Sequence, residues 1–358
     1  MPAIAADRLE ALGARIIAAG GSDAAEARTV AFRLVEANLL GHDSHGIGMI
    51  PAYVNALQNG RLRPGRHVSE LRRDGPMVLL DGHVGYGQVI GAEAMEIAIA
   101  TARDHGLCLL SLRNSHHLGR IGAWGEMAAD AGFISVHWVN VVARMPAVAP
   151  FGGADARFST NPYCTAVPAT ASHPRFVLDM ATTKVAMGKV RVAHNTGTQV
   201  PTEALIGPDG VMTTDPGVMF REPRGALLSM GLHKGYGLAM VCEILAGALS
   251  GGGTGLPEHS DGASIINNMT ALVVDPGRLA DRSAMMAEVD SFIGYVKQSP
   301  PAPGVDRVMI AGDPERAARE ARLANGIEVD DTTFGELLAA GTALGVSAAE
   351  IGALAGQQ

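Results

Sequence analysis

A chain of 358 residues with 47% hydrophobic content is long enough for two domains and can fill substantial cores. Its formal charge of −8, with no run of Lys or Arg, excludes a nucleic-acid stripe, and its 3 cysteines (Cys108, Cys164, Cys242) lack the CxxC spacing of a zinc ribbon or a disulfide framework. The apolar run Gly237 to Leu249 is broken by Glu243 and too short to cross a bilayer, and Met1 to Glu10 lacks the basic-then-apolar order of a signal peptide, so a soluble protein of a reducing cytoplasm is expected.

Residues 5 to 40 are predicted as two helices: Leu9, Leu12, Ile16 and Ile17 share a face, Gly20-Gly21 breaks it, and Asp23 with Glu26 makes a capping box for the second. A loop around His45 precedes a third helix over Ile50 to Leu57, with Pro51 in its first turn and Gly60 as its stop. From Met77 the pattern becomes α/β. Strands at Met77 to Leu80, Leu107 to Leu112, Phe133 to Val139 and Arg175 to Leu178 alternate with helices at Ala92 to His105 and Ala123 to Ala131. Val190 to Asp215 reads as loop and hairpin, turned at Pro208-Asp209-Gly210. A long apolar helix over Gly235 to Ser250 follows, its Met240, Ile244 and Leu245 assigned to the core, and Gly251 to Gly262 is expected to be a mobile loop. A strand at Met269 to Val274, a helix near Ser283 to Ser299, a boundary at Pro300 to Gly304, and helices at Pro314 to Ala324 and Asp331 to Leu344 complete the chain. Helices at both ends around an α/β centre suggest that the termini pack as one unit.

Glycine, at 45 residues, is well above its usual share, so much backbone turns tightly or approaches something closely. The segment Gly41-His42-Asp43-Ser44-His45-Gly46 places a histidine among glycines and small polar residues. An unperturbed imidazole titrates at ~6.5, which suits His45 to acid/base work; a loop histidine satisfied by backbone is the plainer alternative, and Asp43 either orients the ring or caps a helix. Asn114 to Arg120, with His116-His117, and His233-Lys234-Gly235 have the same character. Lys234 puts positive charge at the positive end of a helix, an arrangement that favours a bound anion. Asp179-Met180-Ala181-Thr182-Thr183 passes from strand to helix and offers a carboxylate, hydroxyls and free N–H groups to a ribose or phosphate, with helix capping nearly as good a reading.

Other patterns carry less. Gly85-Tyr86-Gly87-Gln88-Val89-Ile90-Gly91 imitates the dinucleotide fingerprint, but its spacing is GxGxxxG and no acidic residue closes a second strand, so a structural turn is preferred. The 12 histidines include no HExxH, and adjacent His116 and His117 point apart, so no metal site is expected. GxSxG is absent, and Ser44 lies beside His45, a placement that seldom gives a hydrogen-bonded dyad.

The strings Gly41 to Tyr53, Asn114 to Gly122, Asn161-Pro162, Asp179 to Lys189 and His233 to Gly251 resemble, in order and spacing, the type-2 malate/L-lactate dehydrogenase family, over about Asp23 to Ile327. The resemblance implies an α/β (α+β) fold unlike the Rossmann dehydrogenases, with a helical domain from both termini (1–75 with 305–358) and a mixed, largely antiparallel sheet core for cofactor and substrate (76–304). It also implies NAD- or NADP-dependent reduction of small 2-oxo acids to 2-hydroxy acids, or of related imines, by a homodimer with active sites near the subunit interface, without metal, nucleic acid or membrane. Carried over residue by residue, His45 matches the proton donor, Ser44 its charge-relay neighbour and His117 the second histidine. Gly119, Arg120, Ile121, Asp179, Met180, Ala181, His233 and Lys234 fall on cofactor-contacting segments, which His45 also touches. Asn268 and the Ala311-Gly312-Asp313 turn match the late cofactor segments.

One departure affects the substrate. Many members carry arginine five residues after the Ser of Ser-His-Gly, and here that position is Met49, which cannot clamp a carboxylate in bidentate fashion. Either Arg120 or Arg144 supplies the cation, or the pocket takes bulkier apolar 2-oxo acids, because a thioether packs well on aromatic rings. Tolerance for phenylpyruvate-like substrates alongside small ones is therefore expected. The rivals are a cyclic-imine reductase or ureidoglycolate dehydrogenase within the family, a metal-dependent hydrolase outside it, and a nucleotide-binding protein without turnover, which intact His45 and His117 disfavour. No residue is assignable to the ribose 2′ position, so NAD and NADP stay open.

Overall fold

The computed structural model describes residues 3–356. After β1 (Ala3–Ile4), α1 (Ala6–Ala19) buries Leu9, Leu12, Ile16 and Ile17 as one stripe and ends at Gly20-Gly21, where Gly21 takes a left-handed φ of +100°. The Asp23 carboxylate caps α2 (Ala24–Leu39) by accepting from the Ala25 and Glu26 N–H groups. Glu26 does not close the box. Its carboxylate accepts instead from Gly65 N at 3.0 and 3.1 Å, fastening the chain after α3 (Ile50–Gln58).

The centre begins with β2 (Ser69–Asp74), β3 (Met77–Asp81), α4 (Gly87–His105), β4 (Leu107–His116), α5 (Gly122–Asp130), β5 (Ile134–Arg144), β6 (Tyr163–Val167) and β7 (Phe176–Met180). It continues through α6 (Met187–Thr196), the short strands β8 (Leu205–Ile206), β9 (Met212–Thr213) and β10 (Ala226–Leu227), α7 (His233–Cys242) and β11 (Ala263–Val274). One 7-stranded sheet runs β2-β3-β4-β11-β5-β6-β7, antiparallel at every step except β3–β4, so the sheet is mixed and largely antiparallel. α4 forms the crossover that the parallel step requires. Ile90, Ala94, Ala98 and Ala102 recur along it at helical spacing and cover the inward residues Cys108, Leu110 and Leu112 of β4.

The tail adds α8 (Arg282–Lys297), α9 (Asp313–Asn325), β12 (Ile327–Glu328), α10 (Asp331–Ala343) and α11 (Ala348–Ala355). β12 pairs with β1, and Ile327, Leu337 and Ile351 share one apolar core with Leu9, Leu12 and Leu34. This closure brings α9 against the end of α2, beside the His45 loop.

Several elements depart from expectation. α6 carries the helix expected after Asp179–Thr183 from Met187 on into the stretch read as loop from Val190; only Val190 and Ala193 are buried on it and Gly188 interrupts it, so its apolar periodicity is too thin to register. β2 and β6 were unexpected. β2 is the edge of the sheet and nearly all its side chains are exposed, leaving no alternation to detect. Of the residues assigned to the core here, Met240 and Ile244 are 39% and 54% exposed and only Leu245 is half-buried; Val241 and Leu249 are 38% and 57% exposed as well, and past Cys242 the helix loosens into a π-type segment, Glu243–Ala248. Gly251 to Gly262 is tied down, not loose, with Gly253 O accepting from Asn140 Nδ2 at 3.0 Å and Gly255 N donating to Glu243 at 3.0 Å.

Candidate active site

Residues 43–45 form a single 3-10 turn after α2, and its anchors are polar. Asn38 Nδ2 donates to Asp43 Oδ1 at 2.7 Å, and its Oδ1 accepts from Ile47 N at 2.7 Å. Arg322 of α9 forks onto both Asp43 oxygens at 2.6 and 2.8 Å. Asp43 therefore does not orient the His45 ring; it fixes the loop. Gly46 is required here, because a Cβ would lie 2.2 Å from Asn38 Oδ1. Against expectation for chain neighbours, Ser44 Oγ lies 2.9 Å from His45 Nδ1. The first turn of α6 covers this pair, Gly188 sitting where a Cβ would be 3.0 Å from Ser44 Cβ.

His117, just past β4, stacks its ring on His45 with centroids 5.4 Å apart and planes 24° from parallel. Its Nδ1 lies 2.7 Å from the hydroxyl of Tyr53 on α3, and that hydroxyl accepts from Gln88 Nε2 on α4 at 2.7 Å. Burial pulls His45 down to about 4, with His42 and Arg120 adding repulsion, and holds His117 well below the usual imidazole range, helped by His45, His116 and Arg144. Both rings are neutral at pH 7.

Arg120, whose charge reaches His45, also lines a cleft of ≈ 470 Å³. Asp179, Gly312, Glu315 and the guanidinium groups of Arg175, Arg316 and Arg319 share its wall. Asp179 Oδ2 accepts from Gly122 N at 2.7 Å, joining the loop of Gly119, Arg120 and Ile121 to the end of β7, and burial raises its carboxyl above the ordinary value against the pull of Arg120. Arg120 Nη2 reaches Glu126 at 2.5 Å while its Nε is buried without a partner, as is Glu315 Oε2. A buried donor and a buried acceptor left open in an arginine-rich cleft fit a nucleotide with phosphates and hydroxyls.

The remaining expected residues separate. Met180 and Ala181 lead into Thr182, whose carbonyl accepts from Met230 N at 2.9 Å, so the exposed His233 and Lys234 at the start of α7 belong to the same neighbourhood. Asn268 is otherwise employed: fully buried, it accepts from Asn114 N at 3.0 Å and donates to Asn140 at 3.0 Å, away from the cleft wall. In the Ala311-Gly312-Asp313 turn only Gly312 lines the cleft, while Asp313 holds Lys297 at 3.0 Å and Arg316 at 2.5 Å. Met49 packs against the helical core. Arg144 is exposed at the end of β5, pairs with no carboxylate among the described residues, and has Arg191 of α6 as its charged neighbour.

Sequence reading missed Tyr53, Gln88, Arg191, Arg175 and the contact of His42 Nε2 with Glu315 Oε1 at 3.5 Å. The i, i+3 arginines Arg316 and Arg319, on a helix with no buried residue, were a usable signal for an anionic ligand. Gly85 to Gly91 is a packing device: a Cβ on Gly87 would lie 2.1 Å from His117 O, and one on Gly91 2.5 Å from the Trp124 indole. Among the described residues no cluster of His, Cys, Asp or Glu is arranged to hold a metal ion, and no helix is long and apolar enough to cross a membrane.

A sequence model of the family described as malate/L-lactate dehydrogenase matches residues 4–338. The chain is 45% identical to hydroxycarboxylate dehydrogenase B of Escherichia coli K12 over 312 residues, 87% of this chain and 85% of that one. It is 42% identical to L-lactate dehydrogenase of Cupriavidus necator over 322 residues, 90% and 92% of the two chains. An Escherichia coli structure whose description names malate/lactate dehydrogenase superposes with a TM-score of 0.94 at 40% identity, over 99% of this chain and 98% of that one.

Proposed function

Because the chain belongs to the malate/L-lactate dehydrogenase family, enzymes that use a nicotinamide cofactor, we propose that it interconverts small 2-oxo and 2-hydroxy acids, with His45 moving the proton at the substrate oxygen. The observation that carries this reading is the stacked pair of neutral imidazoles, one bonded to Ser44 and one to Tyr53. When bound, the cofactor gives or takes a hydride at the carbon that bears this oxygen. Ser44 engages His45 Nδ1, which leaves Nε2 for the oxygen. In oxidation His45 takes the hydroxyl proton, and in reduction it returns one. Its depressed pKa keeps it unprotonated at pH 7, free to take a proton, and a carboxylate drawn in beside it raises its otherwise weakened proton affinity.

Arg144, which pairs with no carboxylate among the described residues, is the cation for the substrate carboxylate. Arg120, Arg175, Arg316 and Arg319 would hold the phosphates of NAD or NADP, with Asp179 and Glu315 available to hydroxyls. The shared core of both termini supports taking 1–75 with 305–358 as a helical domain beside an α/β unit of 76–304, although β2 joins the sheet. The exposed stripe of Met240, Val241, Ile244 and Leu249 supports pairing of two copies, tested by sedimentation.

The deciding experiment offers NADH and NADPH with pyruvate, oxaloacetate, phenylpyruvate and a cyclic imine, and follows loss of the reduced cofactor. Turnover with a 2-oxo acid supports the reading. Turnover with the imine alone, or with nothing in folded protein, overturns it.

A further inference from the structure

We propose that Tyr53 and Gln88 are positioning residues that lock His117 as the tautomer with its proton on Nε2, so that the two stacked imidazoles have fixed and different jobs. The argument is a count of protons along a buried chain. The Tyr53 side chain is fully buried and its hydroxyl has two polar neighbours, Gln88 Nε2 and His117 Nδ1, each at 2.7 Å. An amide nitrogen only donates, so the Tyr53 oxygen accepts from Gln88. The single phenolic proton is then directed at His117 Nδ1, which must accept it. A neutral imidazole accepting at Nδ1 carries its hydrogen on Nε2.

Each member of the chain keeps its proton. Burial raises the Tyr53 phenol above its ordinary value and holds His117 neutral, so neither end reverses the polarity by ionising. His117 Nε2 bonds to no side chain or backbone group among the described residues. It is a donor left for the substrate. A ring whose Nε2 already bears hydrogen cannot accept a proton there, so His117 donates a hydrogen bond while His45 alone shuttles the proton. This division rests on the function proposed above, but the tautomer does not.

The chain also gives Gly85 to Gly91 its purpose. Gly87 abuts the His117 carbonyl, where any Cβ would lie at 2.1 Å, and its chain neighbour Gln88 reaches the Tyr53 hydroxyl. A Cβ on Gly119 would stand 3.5 Å from Gln88 Nε2, so the amide lies under the loop that leads to Arg120. Glycines spaced almost as in a dinucleotide fingerprint thus serve the second histidine through Gln88.

The test is 15N NMR of histidine-labelled full-length protein near pH 7, with His117→Gln used to assign the His117 signals. The expected result is an unprotonated Nδ1 and a protonated Nε2. A protonated Nδ1 in the unaltered protein overturns the proposal, because that is the pattern of a chain running the other way, and this measurement needs no turnover. Tyr53→Phe should then shift the His117 signals toward a tautomer mixture and lower kcat by about 10-fold with cofactor affinity retained. His117 signals unmoved in folded Tyr53→Phe would likewise refute it.

Discussion

The rings of His45 and His117 stack at 5.4 Å although one follows α2 and the other follows β4. Two imidazoles so placed resist being charged together, so a proton taken by one is felt by the other. Replacing His45 with Ala should lower turnover by about 10²-fold or more while cofactor affinity stays within about 2-fold. Steady-state rates beside a cofactor titration decide this, and unchanged turnover would remove His45 from the mechanism.

The depressed His45 pKa sets a pH profile. His45 must be neutral to accept a proton, and it is held near 4 by burial with His42 and Arg120 beside it. For hydroxy-acid oxidation, kcat/KM should stay level from neutrality down to about pH 5 and fall below that. An acid limb centred near the ordinary imidazole value of ~6.5 would contradict this account.

Stability should fall on the acid side for a related reason. His45 and His116 are held to about 4 and His137 to about 3, and His117 lower than usual as well, each chiefly by burial. Unfolded, these side chains take up protons below ~6.5. Between there and the folded values the unfolded state binds more protons, so stability rises with pH and is lost on acidification. At pH 5 unfolding should take up about four protons, read from the pH slope of the unfolding free energy. A flat slope between pH 5 and 6.5 would show these rings to be solvated.

Replacing Arg144 tells substrate binding from cofactor binding. Arg144→Ala should raise KM for a 2-oxo acid by about 10- to 100-fold and leave the cofactor dissociation constant nearly unchanged, with Arg144→Lys recovering only part. A KM untouched by the change would pass the carboxylate to Arg120.

Gly122→Ala probes the cleft. Its Cβ would fall 2.3 Å from Arg120 Nη1 and 2.8 Å from Asp179 Oδ2, prising apart the loop and the end of β7. Cofactor affinity should drop by about 10-fold, measured by fluorescence titration, with a much smaller effect on substrate KM at saturating cofactor.

The helical ends, the strands of the centre and the family were legible in the sequence because they depend on near neighbours: stripes at helical spacing, Asp23 before α2, and local strings such as Gly41 to Gly46. The reach of α6 past Val190 and the strand β2 were not, since a thinly buried helix and a polar edge strand carry no strong periodicity. His45 and His117 were nominated singly by their glycine-rich surroundings, yet nothing in the chain order of α3 and α4 says that Tyr53 and Gln88 meet His117.

Sequence by itself determined which chemistry was available: imidazoles, a serine beside one of them, and arginines enough for an anionic cofactor. Tertiary structure decided what each group does. The same helix pattern on α7 faces outward because the sheet it packs on leaves that side open, and the same carboxylate type anchors a loop at Asp43 and closes a cleft at Asp179. A side chain's identity fixes its donors, acceptors and ordinary pKa, whereas burial and partners, which set the working values, come from residues distant in the chain.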